Sequence, residues 1–389
     1  DIMANTMFNF FRGTNIFKVV IAVISALSLI FNLFVSFVEP VGNIETFDNV
    51  IVLIGDGMGE NHLEIAKQEQ GIDLFMETLP IRGRQETRSF SDKVTDSAAS
   101  GTALSCGVRT NNGCLGVYPS DTFAFRSYPQ SVTEYAISAG KMTGIVTTDS
   151  NTGATPAAYS AHTYSRGNTA HIAMQQINSG IDLILGSDCG KLNEEICNSR
   201  GYEYVTTKTE LDSLQAGQKI FGQFYGDDLW KAENDSDTPT LTEMTIKALE
   251  LLDNENGFFL MVEGAHIDKH SHANALSQTV ECVYEFDRAI RAAVEFAQED
   301  GNTLVMITAD HETGAITFDG EKYVFTSGSH SSADVPFIIY GSDNIINNGD
   351  VIKNIDFARY TAIAMGCPAN NFPYEIPVVE DSGLYLKAS

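Results

Sequence analysis

Three apolar runs in this chain each end in residues that bind metal ions. Asn49 to Ile54 leads into Gly55-Asp56-Gly57, Phe258 to Val262 leads into Glu263, and Thr303 to Thr308 leads to Asp310-His311. Short apolar runs bounded by glycine and polar residues read as strands buried on both faces. In an open α/β sheet, ligands sit beyond the carboxyl ends of such strands. Carboxylates and a histidine placed there converge on one crevice, which points to a metal-dependent enzyme.

The rest of the chain agrees with that architecture. Further strands are expected at Thr143–Thr148, Ile181–Leu185 and Val335–Tyr340. Helices are expected from Ser97, at Ser131–Ala139, Asn168–Ile177, Leu241–Leu252, Ser277–Gln298 and Phe357–Met365. Such alternation predicts an α/β sandwich with a mostly parallel central sheet flanked by helices. The polar stretch at about 190–237 reads as an excursion outside the core. Residues 45–389 are expected to form a single catalytic domain.

Val19 to Val38 is almost wholly apolar and is preceded by Arg12 and Lys18. It is long enough to cross a bilayer and reads equally as an uncleaved anchor or a secretory signal. Residues 1–40 are therefore set apart, and the catalytic part is expected to be exported, with membrane contact only through this segment. A net charge of -27 argues against nucleic acid as a partner. Six cysteines suit export, and Cys106–Cys114 and Cys189–Cys197 are expected as local disulfides.

Asp268 and His272 are four residues apart, so one helical turn can aim both at a single ion. Asp310 and His311 stand at a strand end. His330 sits in a serine-rich loop before the last long strand and can add another ligand. Ser97 opens a helix of small residues. Alone it reads as part of an N-cap. Its other reading is a nucleophile at a helix N-terminus, where backbone N–H groups favour phosphate.

Together these segments resemble the alkaline phosphatase family. Asp56 in Gly-Asp-Gly-Met-Gly, Asp96-Ser97-Ala98, Ala154-Thr155-Pro156-Ala157-Ala158, Arg166, Glu263, Asp268-Lys269, His272, Asp310-His311 and His330 occur in the family's order, from about Asn49 to Gly366. The resemblance implies a three-layer fold with reduced insertions. It also implies one Zn2+ held by Asp268, His272 and His330, and a second by Asp56, Asp310, His311 and the Ser97 oxygen. An Mg2+ would be held by Asp56, Thr155 and Glu263. Donor chemistry agrees, since zinc takes nitrogen and magnesium takes oxygen. Ser97 would be the nucleophile, forming a phosphoserine on small phosphate monoesters, with Arg166 gripping phosphate oxygens and Lys269 assisting. The rivals are a phosphodiesterase or sulfatase of the same superfamily, and a membrane-tethered protein that binds metal or phosphate without turnover.

Two departures from the family carry expectations. Gly153 stands where many members have Asp or His, which should weaken the magnesium site and leave Lys269 freer, unless a residue such as Asp149 replaces the missing carboxylate. The spacings from Arg166 to Glu263 and from His311 to His330 leave little room for inserted segments, so a monomer or a modest homodimer is expected.

Overall fold

The run Asn49–Ile54 forms strand β1, with every residue buried. A strand can be apolar on both faces only if both are covered, and here they are. The structure is a computed structural model that describes residues 44–119, 127–225, 229–231, 237–368, 371–373 and 375–377. The apolar segment Val19 to Val38 lies outside the described residues. Among those described, no helix is long and apolar enough to cross a membrane.

The elements follow in chain order. Strand β1 is followed by helix α1 (Glu60–Gln70), strand β2 (Ile81–Glu86), helix α2 (Ser97–Cys106), helix α3 (Val132–Ser138) and strand β3 (Met142–Ser150). Next come helix α4 (Ala154–Ala158), helix α5 (Thr169–Gln176), strand β4 (Leu183–Ser187), helix α6 (Glu194–Ser199), strand β5 (Tyr202–Val205), helix α7 (Lys208–Asp212) and strand β6 (Lys219–Phe224). The chain continues through helix α8 (Leu241–Leu252), strand β7 (Phe258–Glu263), helix α9 (His266–His272), helix α10 (Leu276–Asp300) and strand β8 (Thr303–Thr308). Strand β9 (Val335–Tyr340), strand β10 (Val351–Lys353) and helix α11 (Asn354–Ala364) complete the layers.

Ten strands form one sheet in the order β10-β2-β9-β8-β1-β7-β3-β4-β6-β5. Only β9 runs against the others, pairing antiparallel with both β8 and β2. Residues alternate between the faces. Ile51, Leu53, Leu260 and Val305 pack with side chains of α8 and α10. On the other face Tyr159 stacks on Phe259, and the Thr361 hydroxyl reaches the Met306 sulfur. Helix α2 is buried along its whole length. Its Ser, Ala, Gly and Thr residues allow close approach to α4 and α11. The expected three-layer sandwich is the architecture found.

Three local expectations are corrected. The 190–237 stretch is not wholly outside the core, because its strands β5 and β6 join the sheet beyond β4 in parallel. Their cores (Tyr202, Val205, Ile220, Phe221, Phe224) are buried, but intervening polar residues hide the pattern. Strand β4 begins at Leu183, two residues later than expected, although the Asp182 backbone already bonds to Thr143 and Ile220. All six cysteines are free thiols. Cys106 and Cys189 contact Ser105 and Gln223, and the Cys114 sulfur donates to the Tyr164 carbonyl.

Candidate metal centre

Strands β3, β7, β1 and β8 are successive neighbours, and their carboxyl ends lie side by side. Ile54 pairs with Glu263 on one side and Thr308 on the other, while Thr147 pairs with Glu263. This register brings Asp56, Glu263 and the Asp310-His311 pair together. Gly57 permits the approach. Its φ is +75°, and a Cβ there would lie 2.9 Å from the Asp268 Cα.

The first cluster is built from α9 and two loops. His272 Nδ1 donates to the Gly328 carbonyl at 2.8 Å, and His330 Nδ1 donates to the Thr95 carbonyl at 2.9 Å. A carbonyl only accepts, so both Nδ1 atoms carry hydrogen and both neutral rings have bare Nε2 atoms. Those Nε2 atoms lie 3.2 Å apart. They also lie 3.4 Å and 3.6 Å from the two Asp268 oxygens. Two nitrogen lone pairs and a carboxylate directed at one point require a cation or an added proton. Contact with Asp268 pushes His272 up to about 9.

The second cluster lies beside it and is more deeply buried. His311 Nε2 is 3.2 Å from Ser97 Oγ, 3.3 Å from Asp310 Oδ2 and 3.5 Å from Asp56 Oδ1. Asp310 Oδ1 is occupied by the N–H groups of Gly57 and His311. Its Oδ2 and Asp56 Oδ1 are buried without hydrogen-bond partners. Burial, then the charges of Asp310, Asp268 and Glu263, push Asp56 well above the ordinary carboxylate range. Burial lowers His311 below the ordinary imidazole value. Asp268, His311 and His330 form one group of converging donors, and Asp56, Asp310 and His311 form another.

A third, oxygen-only region adjoins Asp56. Glu263 is buried, accepts a hydrogen bond from Thr147 and lies beside Thr155. Burial, followed by the nearby Asp149 charge, pushes Glu263 up to about 8. Thr155 is 1% exposed, and its hydroxyl has no hydrogen-bond partner. Orphaned buried oxygens of this kind fit a hard cation.

Ser97 is the first residue of α2. Asp96 caps that helix by accepting from the Ala99 N–H, and its other oxygen takes the Gly113 N–H and one Arg166 guanidinium nitrogen, at 3.0 and 3.1 Å. Arg166 is thereby tethered beside Ser97 with its remaining N–H groups unclaimed by Asp96. Of the two outcomes expected for Lys269, the structure shows the second: its ammonium is not free but pairs with Asp149.

A sequence profile of the alkaline phosphatase family matches residues 47–186 and 185–364. The chain belongs to the alkaline phosphatase family. Alkaline phosphatase 4 of Bacillus subtilis is 36% identical over 337 residues, spanning 80% of this chain and 71% of that protein. Alkaline phosphatase of Escherichia coli is 36% identical over 334 residues, spanning 68% and 69%. The structure of alkaline phosphatase from the Antarctic bacterium TAB5 superposes with a TM-score of 0.71 at 29% identity, covering 83% of this chain and 98% of that one. The chain is accordingly an alkaline phosphatase, an enzyme acting on small phosphate monoesters.

Residues without an assigned role in the sequence reading also build this centre. The Thr313 hydroxyl links Asp268 to His311. Buried His62 contacts Ser271 on α9, and Ser100 anchors the Asp310 carbonyl. Thr313 sits two residues beyond His311 in a buried extended segment, a weak signal that a bare threonine does not advertise.

Proposed function

We propose that the chain releases inorganic phosphate through a phosphoserine at Ser97, supported by two zinc ions and one magnesium ion. Asp268, His272 and His330 would hold one zinc. Asp56, Asp310, His311 and the Ser97 oxygen would hold the other, and Asp56, Thr155 and Glu263 the magnesium. The observation that carries this reading is the pair of bare Nε2 atoms, His272 and His330, 3.2 Å apart beside Asp268. Imidazole and carboxylate donors suit zinc, whereas Thr155 and Glu263 offer only oxygen. A substituted form of the TAB5 enzyme was solved with Mg bound in its M3 site, which agrees with a magnesium site in this fold.

The ions, when bound, lower the pKa of coordinated oxygens and stabilise charge on the transferring phosphoryl group. The chain's residues supply the rest. Ser97 Oγ gives up its proton and attacks phosphorus as the P–O bond to the leaving alkoxide breaks, the alkoxide taking up a proton to leave as the alcohol. Water then cleaves the phosphoserine ester, releasing inorganic phosphate and restoring the Ser97 hydroxyl. Arg166, steadied by Asp96, offers its fork to two non-bridging oxygens. Lys269 contributes positive charge at the edge of the site. Little of the substrate beyond phosphate meets a dedicated contact, so breadth among monoesters follows.

The reading extends to export of a single catalytic domain at 45–389, through or tethered by residues 19–38, and to a monomer or modest homodimer. Three measurements test it together: metal content of purified protein, rates on nitrophenyl mono- and diesters, and acid trapping of a phosphoserine. Preference for the diester would favour a phosphodiesterase. Absence of turnover and of trapped phosphate would leave only a metal- or phosphate-binding protein.

A further inference from the structure

Gly153 caps the N-terminus of α4, two residues before Thr155. A Cβ built there would overlap Asp149 Oδ2 and lie 2.8 Å from Asp149 Cγ. The Asp149 carboxylate therefore fills the volume that a side chain at 153 would claim. Its register explains how it gets there. Pairing of β3 with β4 is regular through Val146 and then shifts before Ser150. Such an irregularity re-aims the side chains at a strand end. The Asp149 N–H then donates to Thr147 Oγ1 at 2.8 Å, and the same hydroxyl donates to Glu263. Asp149 Oδ1 holds the Lys269 ammonium. Asp149 is thus tied to Glu263 through its backbone N–H and the Thr147 hydroxyl, and to the lysine next to Asp268 through its carboxylate.

Magnesium requires about six oxygens and keeps several waters when few come from the protein. Asp56, Thr155 and Glu263 offer too few, so the remaining waters need acceptors. Outside these ligands, Asp149 is the carboxylate whose charge acts most strongly on Glu263, ahead of Asp310, whose oxygens face Gly57 and His311. We propose that Asp149 is a positioning residue that replaces, from four residues upstream, a carboxylate at position 153: it accepts from water on the third-site cation and pins Lys269 at the edge of the site. This inference rests on the oxygen-only site proposed above. It also means that Gly153 and Asp149 form a compensated pair. Either position can carry the carboxylate, and a side chain at 153 would displace that of Asp149 from its present place.

The test measures magnesium affinity on zinc-loaded protein by calorimetry, with zinc content determined in parallel. Asp149→Asn should weaken magnesium binding about 10–100-fold, as loss of a partner to a metal's immediate ligands commonly does, while zinc content stays at the parent level. Freed from Asp149, Lys269 should tighten inhibition by inorganic phosphate several-fold, a gain that mere loosening of structure does not produce. Gly153→Asp alone should also impair magnesium binding, because its side chain meets Asp149. The double variant Asp149→Gly with Gly153→Asp should recover to within a few-fold of the parent. Parent-like magnesium affinity in Asp149→Asn overturns the proposal, as does a double variant no better than either single one. A parent protein that takes up no magnesium overturns the oxygen-site reading and this inference with it.

Discussion

The Thr313 hydroxyl donates to Asp268 Oδ1 at 2.5 Å and lies 3.2 Å from His311 Nδ1. Its single hydrogen is committed to the carboxylate, so its oxygen must accept from His311 Nδ1–H. That choice leaves His311 Nε2 bare and facing Ser97, Asp56 and Asp310. One threonine thus sets the tautomer of a ligand in one cluster and the orientation of a ligand in the other.

Thr313→Val is expected to lower zinc affinity about 10–100-fold, the usual cost of removing a hydrogen bond that orients a metal ligand. Thr313→Ser should retain most of it, since the hydroxyl remains. Competition with a chromogenic chelator measures both. Equal retention of zinc by the valine variant and the parent would remove Thr313 from this role.

Ser97→Ala is expected to lower kcat/KM by ~10³–10⁶-fold, with residual hydrolysis from the remaining groups. Ser97 is 3% exposed and its helix is capped by Asp96 rather than by itself. The fold should therefore survive, with a melting temperature close to the parent's. Mass spectrometry after acid quenching should find phosphate on Ser97 in the parent and none in the variant. Near-parental turnover in the variant would rule out Ser97 as nucleophile.

The convergence of these donor side chains was legible because they follow buried strands or share a helical turn. Asp56, Glu263 and Asp310 end apolar runs, and Asp268 and His272 are spaced for one helix face. The joint order of the motifs then pointed to the family. What the chain concealed is non-local. Thr313, His62 and Ser100 act through contacts that no spacing records. The exchange between Gly153 and Asp149 depends on an irregularity where β3 ends, which changes the direction of a side chain without changing its identity. Strands β2 and β5 lie toward the sheet's edges, where alternating polar residues weaken the apolar signal. The cysteine spacings suggested bridges, yet all four are free thiols, and Cys106, Cys114 and Cys189 contact local oxygens.

Gly57→Ala should destabilise the protein and disturb the centre together. A left-handed backbone costs a residue with a Cβ about 1–2 kcal/mol. The added carbon would also press on the Asp268 backbone, 2.9 Å away. Loss of zinc should then exceed what the fall in melting temperature accounts for. A variant that melts earlier but keeps parental zinc affinity would mean that α9 yields without moving Asp268.

The metal-free protein should lose stability as pH rises from about 7 to 9, and the metal-loaded protein should not. This window lies above the range in which His62, His266 and His311, lowered by burial, act in the opposite direction. Contact with Asp268 raises His272 to about 9, and burial raises Glu263 to about 8. Both values exceed those of an unfolded chain, so across this window the folded state holds protons that the unfolded state has released. The slope of unfolding free energy with pH is set by that difference, and its sign is negative here. The stabilising protonation is complete below the unfolded values and is lost as pH passes through the folded ones. Asp56, raised in the same direction by burial and by Asp310, adds to the trend. Cations occupy the space of those protons, so loading with metal should expel them. Calorimetry of zinc and magnesium binding in buffers of different ionisation enthalpy should therefore report net proton release near pH 7. Thermal melts at pH 7, 8 and 9, with and without chelator, supply the second readout. A metal-free protein whose melting temperature climbs over this range would contradict the assignment of protons to His272 and Glu263.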